Sequence, residues 1–243
     1  MKDNNTQKTS PQSFYDSSWH KWLDMKKYGP MSRHTRRLCS NIIAGLDFGS
    51  VLDIGCGGGL FLSHLAGLKP NARLYGIDIA QSAVDTARKN VPSADFHVLD
   101  VEKEALPVIY DLVTVIDVIE HIKDDERFLK NVRGMTGKYL LIRTLTGRMR
   151  AIEEEVGHVR NYSDKELVKK LTAAGFSVVS VRKWGFPFYS PLYRTILSFR
   201  APQQATLGTY GKLRKLLAEL LYNLFFLNIP GRGDVIMILA KPS

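Results

Sequence analysis

Between residues 51 and 61 the chain reads Val-Leu-Asp-Ile-Gly-Cys-Gly-Gly-Gly-Leu-Phe, and few folds accommodate that run. Val51, Leu52 and Ile54 give a short apolar strand signal. Gly55, Gly57, Gly58 and Gly59 strip the turn of side chains, and Leu60, Phe61, Leu65 and Leu68 open a helical pattern. The implied unit is a buried strand, a bare turn and a helix start. Backbone at such a turn can lie close against a nucleotide-like ligand, because glycine presents no Cβ.

Asp53 narrows the ligand. A dinucleotide fingerprint, G-x-G-x-x-G, needs glycine at its sixth position, and here that position is Leu60. A carboxylate two residues before the first glycine would repel a pyrophosphate and suit a cationic ligand end. The stretch closely resembles motif I of the class I S-adenosylmethionine (SAM)-dependent methyltransferases. The resemblance implies SAM as cofactor and S-adenosylhomocysteine as product, held in part by Asp53, Gly55, Gly57 and Gly59. The alternative is a glycine-rich turn with no ligand.

Strand and helix signals then alternate. Strands are expected at 73–77, 96–99, 111–116, 139–142, 176–181 and 234–240, with helices at 81–90, 126–132 and 164–174. Continuous Val/Ile/Leu runs separated by helices imply parallel strands covered on both faces. The expected fold is α/β: a doubly wound, seven-stranded, mostly parallel, Rossmann-like sheet with helices on both faces. Residues 1–13 read as a polar disordered tail without a signal-peptide core, and 14–49 as an N-terminal helical lid. The SAM-binding core is expected over 50–183, an aromatic and amphipathic helical insertion over 184–233, and the last strand over 234–243. Two cysteines, Cys39 and Cys56, give neither a disulfide framework nor metal spacing, which fits the cytoplasm.

Each of the first four strands ends in an acid: Asp53, Asp78, Asp100 and Asp117. Ligands of doubly wound sheets sit at such carboxyl ends. Asp78 lies close to the spacing of an acid that grips ribose hydroxyls, since one carboxylate can accept from both. By resemblance, Asp100 accepts from the adenine amino group, Val101 adds a backbone contact, and Ile79 packs on the adenine ring. A strand-end Asp is ordinarily a cap; four in sequence behind this turn argue for a ligand.

Asp117-Val-Ile-Glu-His-Ile122 resembles the acid-x-x-Glu-His segment of the ubiquinone-biosynthesis O-methyltransferases and the small-RNA methyltransferases, which in some members holds a divalent metal. On a helical turn Asp117, Glu120 and His121 share a face, and His158 could join them around a cation. Asp117 stands where the metal-binding versions carry the longer Glu, so no metal is expected. In the other reading Asp117 contacts the methionine end of SAM, Glu120 and His121 support the loop, and His121 serves as general base. Residues 157–163, Gly-His-Val-Arg-Asn-Tyr-Ser, resemble a GH-x-R-x-Y-S segment of these enzymes, which places His158, Arg160 and Tyr162 at the acceptor. Alternatively Arg160 pairs with the run at 153–155 and Tyr162 packs a helix end. The family's N-terminal segments often cover the cofactor; on that basis Tyr28, Arg33 and His34 are lid residues facing the acceptor, or else packing groups of a helix pair.

The net charge of +10 sits on the flanks. Residues 51–180 carry 17 Lys/Arg against 18 Asp/Glu, whereas 181–243 carry 9 against 2. In that last part the basic residues lie among aromatics and among Leu213, Leu216, Leu217, Leu220, Leu221 and Leu224 at helical spacing. Mixed basic and apolar flanks favour a lipid-like partner or membrane surface over nucleic acid. The expected protein is a SAM-dependent methyltransferase of small-molecule biosynthesis, acting at oxygen on a small or amphipathic, even lipid-like, acceptor. Its 184–228 insertion would meet a membrane surface or a second copy. The rival readings are a nucleic-acid methyltransferase and a non-catalytic SAM-binding scaffold.

Overall fold

The computed structural model describes residues 11–198 and 208–243. Most of the expected tail, residues 1–10, and the 199–207 part of the insertion lie outside the described residues. Seven strands form one sheet in the order β3-β2-β1-β4-β5-β7-β6. They are β1 (Ser50–Ile54), β2 (Arg73–Asp78), β3 (Asp95–Val98), β4 (Tyr110–Ile116), β5 (Thr136–Leu145), β6 (Phe176–Trp184) and β7 (Val235–Pro242). Strand β7 alone runs antiparallel to its neighbours β5 and β6. The order reverses beside β1, which places the carboxyl ends of β1 and β4 at the topological switch point.

The period-2 alternation of buried strands divides the interior into two layers. Leu141 and Leu145 of β5 and Met237 of β7 face α2 (Pro30–Ile43), α3 (Leu60–Leu68) and α4 (Gln81–Asn90). Leu140, Ile142 and Ile238 face the other way, onto α5 (Asp125–Met135) and α7 (Asp164–Ala173). Each fully buried Leu, Ile or Val contributes about 1.5–3 kcal/mol, so both layers hold the sheet rigid under the site. Ser163 caps α7 through a reciprocal pair with Glu166.

Helix α1 (Pro11–Tyr28) starts three residues inside the expected tail and lies over the glycine turn. Between α6 (Ala151–Glu155) and α7 the chain pairs briefly with the end of β5 through Thr146 and Tyr162. After β6 come a wide helical turn (Phe188–Tyr193), the short α8 (Arg194–Ser198) and then α9 (Lys212–Phe225). Trp184, Tyr189 and Phe225 are buried against α2, so part of the insertion's aromatic content belongs to the core.

Candidate active site

A cavity of about 430 Å³ opens at the carboxyl ends of β1, β2 and β4 and is roofed by α1 and α2. Its floor begins at the glycine turn. Gly55, Gly57 and Gly59 all have positive φ (69°, 53° and 75°), a region that side chains other than glycine avoid. At Gly57 a Cβ would also run into the indole of Trp19 from the roof. Gly59 has a different reason: a Cβ there would press on Ala87 of α4 and on Val91 just past its end, and Gly59 is absent from the cavity wall. Gly59 thus lets the turn pack closely on α4.

The four acids converge as their strand-end positions predict. Asp53, Asp78, Asp100 and Asp117 line the cavity, together with Ile79 and Val101. Asp78 accepts from Gly57 N (2.9 Å) and Ala80 N (3.0 Å), so one carboxylate fastens the glycine turn to the start of α4 while keeping lone pairs toward the cavity. Asp53 accepts from Thr114 Oγ1 at 2.6 Å, and burial lifts its pKa to about 7. Asp100 accepts from Glu102 N at 3.1 Å in a tight turn. Asp117 has φ 57°, the only non-glycine positive φ among the described residues, and is ion-paired with the buried Arg143. Backbone strain of this sort, about 1–2 kcal/mol, concentrates where a side chain must be aimed at a site.

Glu120, His121 and His158 meet at the far end of the same cavity. Their potential ligand atoms lie within 4.8 Å of one another. Glu120 is 1% exposed, its Oε2 accepts from Thr144 Oγ1 at 2.9 Å, and its Oε1 has no partner among the described residues. Burial raises its pKa to about 7. Burial and the neighbouring His158 depress His121 to about 3, and the Tyr15 hydroxyl meets its Nδ1 at 2.9 Å. The ring is thereby held neutral, with the Glu120 carboxyl beside it poised near neutrality. The donor set fits a divalent cation in chemical type: two neutral imidazoles and a carboxylate oxygen that nothing else satisfies.

Of the six residues expected at the acceptor, His158 lines the cavity, whereas Tyr28, Arg33, His34, Arg160 and Tyr162 lie outside its wall. Arg33 bonds Glu219 of α9 at 2.5 Å and stacks on Tyr222. His34 accepts from Arg37 at Nδ1 and donates from Nε2 to the Tyr222 carbonyl, a fully buried neutral imidazole with its pKa near 4. Tyr28 packs with Tyr210 and Lys215. Arg160 and Tyr162 both bond Asp125 (2.6 and 2.7 Å), joined there by Lys170 (2.9 Å), so these two side chains latch the start of α5, while Asn161 between them donates to Glu153 of the acidic run at 2.8 Å.

In their place the structure puts Tyr15, Trp19, Trp22 and Lys26 of α1 on the roof and Arg143 on the wall. The α1 positions follow i, i+4, i+7, i+11, a face legible in the spacing. Arg143 is the one charge in the stretch 139–145 of β5, itself a signal. Its Nε and Nη2 and Trp19 Nε1 are buried without partners among the described residues, with Lys26 close by. Bound ligands would satisfy these donors.

This is the architecture of the class I SAM-dependent methyltransferases. A family model described as a methyltransferase domain matches residues 30–181, and the chain belongs to that family. Ubiquinone biosynthesis O-methyltransferase from Coxiella burnetii (strain RSA 493 / Nine Mile phase I) is 33% identical over 92 residues, covering 35% of this chain and 38% of that protein. The match therefore spans well under half of that relative. Among solved structures, magnesium protoporphyrin IX methyltransferase from Synechocystis with bound S-adenosylhomocysteine superimposes with TM-score 0.63 at 15% identity, covering 96% of this chain and 98% of that one. The [4+2]-cyclase SpnF gives TM-score 0.65 at 17% identity, covering 96% and 94%. At such identities the likeness is one of fold.

Proposed function

We propose that the protein transfers the methyl group of SAM to an oxygen of a small or amphipathic hydroxylated acceptor. The observation that carries this reading is the unpartnered Glu120 Oε1, on a carboxyl with pKa about 7, in the same cavity as the glycine turn and Asp78. When bound, SAM supplies a sulfonium methyl that an acceptor oxygen displaces in line, leaving a neutral thioether. Asp78 would hold the ribose hydroxyls and Asp53 would face the cationic end. Glu120 would take the hydroxyl proton as the C–O bond forms, with His121 and His158 orienting the acceptor. Trp19 and Trp22 exclude water, and the free N–H groups of Arg143 offer a donor pair to a second acceptor oxygen.

Release of S-adenosylhomocysteine is to be measured with a panel of hydroxylated acceptors. Glu120→Gln should lower kcat by about a hundredfold or more while SAM affinity stays within about twofold. An unchanged kcat would remove Glu120 from the chemistry. SAM binding without methylation of any acceptor would favour a scaffold. Methylation of nucleic acid alone would favour the nucleic-acid rival.

The convergence in the cavity also supports a second reading, in which Glu120, His121 and His158 hold a divalent cation that polarises a bound hydroxyl. Activity untouched by EDTA would exclude it.

A further inference from the structure

Helix α9 carries two apolar stripes. Ala218 and Phe225 are buried and Leu221 packs beside them on the core. On the opposite side Leu213, Leu216, Leu217 and Leu220 recur at helical spacing and all are exposed, Leu213 by 80% and Leu220 by 60%. The stripe continues past the helix end through Leu227, exposed by 64%. One helix face with this many large apolar groups in water marks an interaction surface.

The surrounding charge identifies what covers it. Lys212, Arg214 and Lys215 head the helix, and its one acid, Glu219, is taken up by Arg33. A second copy docking face to face about a two-fold axis would bring these cations together. Nucleic acid would use the cations and leave the leucines wet. An anionic bilayer surface meets both, with leucines in the headgroup–acyl boundary and lysines among the phosphates. No helix of the described residues is long and apolar enough to cross a membrane, so such binding is peripheral. We propose that α9 docks this protein on an anionic lipid surface.

The docking helix is joined to the cavity roof. Helix α2 lines the cavity with Met31, Ser32, Thr35 and Arg36. From its other face, Arg33 holds Glu219, His34 holds the Tyr222 carbonyl, and Arg37 lies 4.5 Å over the Phe226 ring. Lipid-bound α9 therefore sets the roof at the interface, where an amphipathic acceptor is concentrated.

Flotation of the full chain with vesicles of equal parts phosphatidylglycerol and phosphatidylcholine, against phosphatidylcholine alone, tests the proposal. The protein should float with the anionic vesicles and be released by salt. The double variant Leu216→Glu/Leu220→Glu should lose binding by about tenfold or more, with its SAM isotherm and melting temperature unchanged. Lys212→Glu/Lys215→Glu keeps the leucines and should lose the preference for anionic vesicles. The proposal is overturned if the protein floats with neither vesicle or equally with both, or if the leucine variant floats as the parent does. It is also overturned if light scattering shows a stable dimer that the leucine variant splits. The SAM isotherm is read separately, so failure here leaves the methyl-transfer reading standing.

Discussion

Asp78 is the residue on which the cavity turns. Its two oxygens already accept two backbone N–H groups, which fixes the carboxylate between the glycine turn and α4 with lone pairs left over. Hydrogen bonds to a charged acceptor are worth about 1.5–3 kcal/mol each, so Asp78→Ala should weaken SAM binding by roughly a hundredfold or more. Titration calorimetry checks this, with circular dichroism to show that the fold persists; an unaltered isotherm would end the cofactor assignment. Asp78 was legible in the sequence because a strand end is a fixed place in a doubly wound sheet. Asp53, Asp100 and Asp117 were legible for the same reason. Gly59 was not, because a missing Cβ looks the same in sequence whether a ligand or Ala87 fills the space. Burial, which raises the Glu120 carboxyl and depresses the His121 ring, is likewise invisible until the packing is known.

At the scale of elements, the segment ahead of the first strand lies over the cavity, but the side chains that line it are other than the polar ones that stand out in the sequence. Tyr28, Arg33 and His34 are polar and conspicuous, yet α2 turns the latter two toward α9. The cover is made by an aromatic face of α1, which reads in sequence as an ordinary core stripe. A carboxylate of that helix fastens it to α4: Asp16 accepts from Ser82 N at 3.0 Å and Ser82 Oγ at 3.1 Å. It thus caps α4, whose own Ala80 supplies no side-chain cap. Asp16→Ala should cost about 1 kcal/mol, as loss of an N-cap does, concentrated in α1 rather than the sheet. Hydrogen exchange should show faster opening of α1 amides, and SAM should dissociate faster. If α1 stays as protected as in the parent protein, the capping account is wrong.

The whole molecule titrates in two opposing ways. Asp53 and Glu120, at about 7 in the fold against 3.8 and 4.5 as free groups, hold protons that the unfolded chain has released. They therefore lower stability as pH rises through that window. His34 and His121, at about 4 and about 3 against 6.5, stay neutral where the unfolded chain is protonated, so they raise stability as pH rises toward 6.5. In the ligand-free protein these slopes oppose each other. A cation brought to the cavity favours the ionised carboxylates, and the remote His34 contributes equally with and without it. The gain in Tm from a fixed excess of SAM should therefore grow from about pH 5.5 to about pH 8, and Asp53→Asn should flatten that growth. Scanning calorimetry across the window reads the difference directly. A gain that is constant, or largest on the acid side, would mean that the ligand's positive end does not meet Asp53.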